Sequence, residues 1–218
     1  MSLADALARA QDQIAGACAR ARRRRDAVQL LAAVKTVAPE RIREAYALGV
    51  RLFGENRVQE RAAKREALAD LAGASWHLLG PLQSNKAGAA LDLFDALETV
   101  DSLALAQRLN RLAAARVPVL IEVNIANEPQ KHGIAPEHAA GLAAAVRSLE
   151  RLELRGLMAI PPAAGDPEAS RPHFAALAAL AANLGLAELS MGMSADYAVA
   201  VEEGATIVRL GSALFGAR

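Results

Sequence analysis

Eight short apolar segments alternate with helical stretches along the chain, and this alternation limits the folds that are open to it. The segments are apolar throughout, which is typical of parallel strands buried on both faces. The predicted strands are 28–35, 51–54, 75–80, 94–99, 117–124, 153–158, 187–190 and 206–210, with helices near 39–49, 56–71, 85–91, 102–115, 136–149, 169–183 and 195–203. We therefore predict a single (β/α)8 TIM-type barrel, with a doubly wound open sheet as the alternative.

An additional helix is predicted before the first strand, over residues 2–25. Ser2 and Asp5 have the spacing of a capping box at its start. Residues 22–25 are all arginine, and we interpret them as a solvated last turn that complements the helix dipole. A nucleic-acid patch is the weaker interpretation, because no aromatic residue is interleaved with these charges. With this helix, one domain is expected to span 1–218.

Composition narrows the classes of function. The net charge of +1 offers no overall attraction to nucleic acid or to a membrane surface. Cys18 is the only cysteine, which excludes an intramolecular disulfide, and no apolar run is long enough to span a bilayer. The N-terminus lacks a signal-peptide pattern, so a cytoplasmic protein is expected. The four histidines are widely scattered, so no metal site is expected.

Lys35 closes the first predicted strand and is one of only four lysines among 25 basic residues. Arginine supplies most of the positive charge, so the rare lysines stand out. Unlike arginine, lysine can lose its proton and attack a carbonyl group. A primary amine at the carboxyl end of a barrel strand is therefore a candidate for forming a Schiff base.

The loops after the last two predicted strands contain glycine and serine residues, among them Ser194, Gly211 and Ser212. The loops after the last two strands commonly hold a phosphate in such barrels. The alternative is a pair of ordinary Gly/Ser turns, with Ser194 as a helix N-cap. Arg209 interrupts the last apolar strand, and a buried guanidinium needs a partner. That partner is either a carboxylate such as Glu122 or a bound ligand.

Five motifs, taken in order, resemble those of the pyridoxal-phosphate homeostasis protein family. They are LAAVKT at 31–36, FGENRVQE at 53–60, WHLLGPLQSNK at 76–86, SMGMSAD at 190–196 and VRLGSALFG at 208–216. The family usually has serine where this chain has Val34, just before its lysine. The resemblance implies a barrel like the N-terminal domain of alanine racemase, with pyridoxal 5′-phosphate (PLP) held as an internal aldimine.

The resemblance also implies the cofactor-binding positions. They are Lys35 for the aldimine, Ser194, Gly211 and Ser212 for the phosphate, Arg209 for the ring nitrogen, Asn56 and Asn124 for polar contacts, and Met191 with Met158 for the wall. Lys131 matches a loop lysine implicated in cofactor handling within the family. No catalytic residue is expected.

The expected function is that of a non-catalytic carrier or buffer in intracellular PLP homeostasis, with PLP-dependent apo-enzymes as candidate partners and a monomeric state. A PLP-dependent amino-acid racemase is the alternative, and it would need an opposing tyrosine base; the tyrosines are Tyr46 and Tyr197. A PLP-independent Schiff-base aldolase is a third hypothesis, but no proton shuttle is evident beside Lys35. Arg209 favours the carrier, because an arginine can only donate to the ring nitrogen and would weaken the electron sink.

Overall fold

A computed structural model describes residues 2–163 and 165–216. Its strands form a closed parallel barrel in which each strand pairs with the next and the eighth pairs with the first. The strands are β1 (Gln29–Ala33), β2 (Leu52–Glu55), β3 (Ser75–Leu78), β4 (Ala96–Val100), β5 (Val117–Glu122), β6 (Leu152–Met158), β7 (Glu188–Met193) and β8 (Ile207–Leu210). The prediction of a barrel is therefore confirmed, and the open sheet is excluded.

Helices surround the barrel and connect its strands. They are α1 (Leu3–Arg20), α2 (Pro39–Ala47), α3 (Val58–Lys64), α4 (Ala87–Leu93), α5 (Leu103–Leu112), α6 (Ala139–Arg147), α7 (Arg171–Asn183), α8 (Tyr197–Glu202) and α9 (Ser212–Phe215). Short 3-10 helices precede or follow several of them, and one of these, Glu66–Leu68, occupies the end of the predicted 56–71 helix. Within the described residues, no helix is both long and apolar enough to cross a membrane.

The N-terminal helix is shorter than predicted, because it ends at Arg20 and not at residue 25. Its start is as expected, since Ser2 and Asp5 form a complete capping box. Arg22 then takes a left-handed φ of 55°, and the backbone N–H of Arg23 bonds back to the carbonyl of Cys18. This hydrogen bond closes the helix C-terminus. The guanidinium of Arg23, beyond the end of the helix, donates hydrogen bonds to the carbonyls of Val201 and Ala205.

The apolar core lies mainly between the barrel wall and the helices, as a TIM-type fold requires. Phe53 and Trp76 stack there with ring centroids 5.1 Å apart. A smaller apolar cluster of Leu31, Leu79 and Ile207 is separate from this core. Several strand residues are buried although they are polar or charged, and they are Glu55, Glu98, Thr99, Glu122, Ser190 and Arg209.

The contact between β6 and β7 leaves no space for a side chain at Gly156. A Cβ built there would lie 1.9 Å from the carbonyl oxygen of Glu188, its neighbour across the strand pair. We expect Gly156→Ala to lower the free energy of unfolding by about 2–4 kcal/mol, because the two strands must separate. Gly141→Ala in α6 is the matched control, since no described atom beyond its own helix lies within 4 Å of the added Cβ.

Denaturant unfolding of both variants measures these effects. The control should gain up to about 1 kcal/mol, because alanine has the higher helix propensity. Equal stabilities of the two variants would contradict the tight strand contact.

Candidate functional site

A cavity of about 880 Å³ opens at the carboxyl ends of the strands. Its lining residues are Ala33, Lys35, Thr36, Val37, Ala38, Arg41, Asn56, Leu79, Ile160, Met193, Ser194, Ala195, Arg209, Gly211, Ser212, Phe215 and Gly216. All but Leu79 and Ile160 come from two groups, residues 33–56 and 193–216. Closure of the barrel between β1 and β8 brings these two groups together. The volume is within the range of about 300–1,000 Å³ that is usual for small-molecule sites.

Six of the nine cofactor-binding residues expected from the sequence line this cavity: Lys35, Asn56, Ser194, Arg209, Gly211 and Ser212. Each of them lies on a barrel strand or within two residues of its carboxyl end. Because parallel strands end at the same mouth of the barrel, positions far apart in sequence converge there. An amine, hydroxyl groups and a guanidinium therefore face one space.

Lys35 is held in a tight turn after β1. The backbone N–H of Val37 bonds to the carbonyl of Val34 at 3.0 Å, and Thr36 between them has a left-handed φ of 59°. This conformation is unfavourable for a β-branched residue, so the surroundings must impose it. The Val34 side chain is fully buried in the core between barrel and helices and does not line the cavity, so the departure from the family's serine lies behind the strand.

The loops after β7 and β8 are joined at the part of the cavity lined by Ser194 and Ser212, which we call the serine end. The Ser194 hydroxyl accepts a hydrogen bond from the backbone N–H of Ala213 at 3.0 Å. A hydroxyl that accepts in this way still has its own O–H to donate to a ligand. Asp196 is buried beneath the same loop, where its carboxylate accepts bonds from Met193 N–H and the Ser170 hydroxyl. A hydrogen bond thus joins the two loops that carry Ser194 and Ser212.

Arg209 reaches the cavity from β8 and is only 3% exposed. Its guanidinium donates to the Ser190 hydroxyl at 2.8 Å and to the Ala159 carbonyl at 2.9 Å. Among the described residues no ion pair joins it to Glu122, whose carboxylate instead accepts from the Thr99 hydroxyl. Burial lowers the pKa of Arg209, but an arginine stays protonated in a protein, so the cation is retained.

A hydrogen-bonded chain supports Arg209 from within the barrel. Ser190 donates to Glu98, and the other oxygen of Glu98 lies 2.6 Å from Nδ1 of His77. Burial opposes ionisation of Glu98, but His77 and Arg209 outweigh it and hold the pKa of this carboxyl below its ordinary value. Glu98 was missed, although a glutamate inside an apolar strand was a usable signal.

Asn124 and Met191 do not line the cavity in the described part of the structure. Asn124 instead bonds twice to the backbone of Glu128 and holds the loop after β5. Met191 is fully buried in the core between barrel and helices. The pairing of β7 with β8 contains an irregularity between residues 190 and 193, with Gly192 at a φ of 88°. Three residue steps on β7 here match two on β8, so β7 contains one extra residue. The extra residue shifts the alternation of side chains, and Met193 therefore lines the cavity wall.

Lys131 lies in the loop that Asn124 holds. It forms an ion pair with Glu128 and donates to the Ile160 carbonyl at 3.3 Å. Ile160 lines the cavity, so Lys131 is connected to the site through the backbone of that residue. Met158, the other wall position expected from the sequence, is fully buried and does not line the cavity within the described residues.

A buried ion pair stands behind the Lys35 turn. Nζ of Lys64, on α3, lies 2.6 Å from Glu55 Oε1 at the end of β2 and donates to the Val34 carbonyl at 2.8 Å. Burial raises the pKa of Glu55 to about 7, against the opposing effect of Lys64, and the nearby Glu60 carboxylate contributes to the rise. Neither Glu55 nor Lys64 was identified from the sequence, although the rarity of lysine pointed to Lys64.

We expect the free energy of unfolding to fall as the pH rises, because the buried Glu55 carboxyl loses its proton. Its pKa rises from an ordinary 4.5 to about 7 on folding, so the folded state holds this proton more tightly. The resulting stabilisation is present below the ordinary pKa and is lost as the pH rises through 7. Between pH 5 and 8 the loss is on the order of 2 kcal/mol. Glu55→Gln should flatten this part of the profile.

Denaturant unfolding of the wild type and Glu55→Gln at several pH values measures the difference. Glu168→Gln is the control, because this exposed carboxylate pairs with Arg171 at the surface and the pairing lowers its pKa. Parallel profiles for wild type and Glu55→Gln would show that Glu55 does not titrate in this range.

Comparison with known proteins agrees with this geometry. A family model described as the alanine racemase N-terminal domain matches residues 10–218. The pyridoxal phosphate homeostasis protein of Pseudomonas aeruginosa is 45% identical, over 100% of this chain and 96% of the relative. That of Escherichia coli is 42% identical, over 99% of this chain and 97% of the relative. The chain belongs to the pyridoxal phosphate homeostasis protein family.

Solved structures extend the comparison to the fold. PipY of Synechococcus elongatus, described as having PLP bound, matches this family member with a TM-score of 0.88 and 40% identity, over 99% of this chain and 100% of PipY. Alanine racemase of Clostridium difficile matches with a TM-score of 0.70 but 18% identity, over 88% of this chain and 52% of the racemase. The racemase therefore shares the fold alone.

Proposed function

We propose that this chain binds PLP as a Schiff base on Lys35 and acts as a non-catalytic carrier or buffer in PLP homeostasis. The observation that carries the proposal is that Lys35, Arg209 and the two serine-bearing loops line one cavity. The names of the relatives and the PLP-bound PipY support it. The whole barrel would act as one binding unit, as a monomer.

The donors present fit the chemical groups of PLP. Nζ of Lys35 would attack the aldehyde carbon, and the carbonyl oxygen would leave as water. The Ser194 and Ser212 hydroxyls line the cavity where a phosphate would need donors. Gly211 lines the cavity beside Ser212, where its backbone N–H could add a donor for the phosphate. Asn56 adds a further polar group to the wall.

Arg209 supports a carrier over an enzyme. Bound PLP supplies an electron sink, which is strongest when its ring nitrogen is protonated. Arg209 can only donate a hydrogen bond to that nitrogen, so it would leave the nitrogen unprotonated. Its own position is secured by Ser190 and, through Ser190, by Glu98. The site would therefore hold the cofactor while weakening the carbanion chemistry that most PLP enzymes use.

The tyrosines also support the carrier. Tyr46 donates its hydroxyl to the Ala72 carbonyl at 2.6 Å, and the Tyr197 hydroxyl donates to Gln13. Neither tyrosine lines the main cavity of the described structure. A racemase needs a second base facing the substrate, and no tyrosine of this chain is placed for that task in the described residues.

Titration of the purified protein with PLP tests the proposal. We expect a visible absorbance band that saturates at one PLP per chain. Borohydride should then fix the cofactor on the peptide that contains Lys35. Absence of the band, or fixation only at another lysine, would overturn PLP binding at this site.

A separate assay distinguishes the carrier from an enzyme. The PLP-loaded protein is incubated with L-alanine, and D-alanine is measured over many turnovers. We expect no sustained inversion. Steady formation of D-alanine would show that the protein is a racemase and not a non-catalytic carrier. Transfer of PLP to a PLP-dependent apo-enzyme faster than PLP dissociates into buffer would identify such enzymes as partners.

A further inference from the structure

The Lys64 ammonium contacts the backbone on which Lys35 stands. It bridges two strand ends, because it lies 2.8 Å from the Val34 carbonyl after β1 and 2.6 Å from Glu55 Oε1 on β2. Its side chain is only 12% exposed, and Glu55 is fully buried. Burying such a pair is costly, because both charged groups lose their hydration.

The carbonyl that Lys64 binds belongs to the strained turn. The same Val34 carbonyl accepts the N–H of Val37 and so closes the turn around Lys35 and Thr36. A left-handed φ of 59° at Thr36 is unfavourable for a β-branched side chain. On the other side, the Glu60 carboxylate faces the Thr36 N–H at 3.4 Å, a long contact. Helix α3 thus holds the turn mainly through Lys64.

A lysine suits this position better than an arginine. An ammonium is a compact charge that can direct its three donors to separate acceptors around one point. Here two of the acceptors are a backbone carbonyl and a carboxylate oxygen from different strands. This explains why a chain that otherwise prefers arginine has a lysine at this buried place.

We propose that Lys64 is a positioning residue for PLP binding, which holds the Val34 carbonyl so that the Lys35 side chain is presented to the cavity. The inference rests on the proposed Schiff base at Lys35. Lys64 itself is absent from the cavity lining of the described residues, so it acts through the backbone. Glu55 in turn holds Lys64 in place.

The test compares Lys64→Met with Leu68→Ala. Methionine keeps the chain length and removes the ammonium. Leu68 is a buried residue in the 3-10 helix after α3, so its truncation destabilises the same region and leaves the hydrogen bond from Lys64 to the Val34 carbonyl in place. We expect Lys64→Met to weaken PLP affinity about tenfold and to shift the pH midpoint of the visible band. Leu68→Ala should lower the unfolding midpoint but leave affinity and spectrum unchanged.

Two further variants keep the inference falsifiable. If Lys64→Met does not fold because Glu55 is left alone, the double variant Glu55→Gln with Lys64→Met removes both charges and should show the same spectral shift. Thr36→Gly added to Lys64→Met should recover most of the affinity, since glycine takes a left-handed φ without strain. If the affinity is not recovered, the conformation of the turn does not connect Lys64 to PLP binding, and the inference is overturned.

The outcomes separate the two proposals. If the wild type shows no band with PLP, the proposed function fails and the role of Lys64 fails with it. If the wild type shows the band and Lys64→Met has the same affinity and pH profile, the positioning role alone is overturned. An equal loss of affinity in Leu68→Ala would also overturn it, because the effect would then be one of general stability.

Discussion

Lys35→Ala is expected to abolish the visible band and the borohydride-stable attachment of PLP. The turn after β1 places this amine at the wall of the cavity, where Arg209 and the serine-bearing loops also converge. Removing the amine removes the only atom of this residue that can form the imine bond. Phosphate contacts would remain, so we expect weak, non-covalent binding without the imine band and with at least a hundredfold loss of affinity, a change of about 2.7 kcal/mol or more. Absorbance titration and mass spectrometry after reduction measure both effects.

Lys86→Ala is the matched control for this loss. Lys86 ends the 3-10 helix Ser84–Lys86 and does not line the main cavity of the described structure. It should keep the band and the affinity of the wild type. A Lys35→Ala protein that still forms the band and is still reduced onto a lysine would show that another amine carries PLP.

Ser194→Asp is expected to cause the second large loss of PLP binding. Ser194 lines the cavity and its hydroxyl is fastened to the backbone of Ala213. A carboxylate here would face the phosphate dianion in the proposed site. Two like charges about 4 Å apart repel by about 4 kcal/mol at an effective dielectric constant near 20. We therefore expect a loss of affinity on the order of a thousandfold.

Pyridoxal, which lacks the phosphate, provides the control ligand for Ser194→Asp. Its weak binding should change little, because the introduced charge has no anion to repel. Ser194→Ala should cost roughly tenfold in PLP affinity, since it removes one hydroxyl and leaves the Ala213 N–H without its acceptor. Equal losses for PLP and pyridoxal in Ser194→Asp would mean that the serine end of the cavity does not bind the phosphate.

The barrel could be predicted because its causes are local and repeated. Strand β1 was expected over 28–35 and is observed at Gln29–Ala33, and β8 was expected over 206–210 and is observed at Ile207–Leu210. Runs of apolar residues with helical patterns between them indicate a parallel sheet with both faces covered, which is either a barrel or a doubly wound open sheet. Lys35 could also be identified as a candidate from the sequence, because it is a rare lysine at the end of a predicted strand.

Other features depended on neighbours that are distant in sequence. Met191 was expected in the wall, but the irregular pairing of β7 with β8 places Met193 there. Asn124 was expected near the cofactor, but its amide is used to hold the loop after β5. A one-residue irregularity and the choice of a hydrogen-bond partner leave almost no pattern in the sequence.

The sequence by itself determined the order of strands and helices, the family motifs and the candidate Schiff-base lysine. These follow from apolar periodicity, residue chemistry and position relative to a strand end. Only the tertiary structure decided that Glu98 supports Arg209 and that Lys64 holds the backbone before Lys35. The physical reason is that burial and hydrogen bonding are properties of groups brought together by closing the barrel. The identity of a residue does not tell whether a lysine or glutamate is buried or exposed.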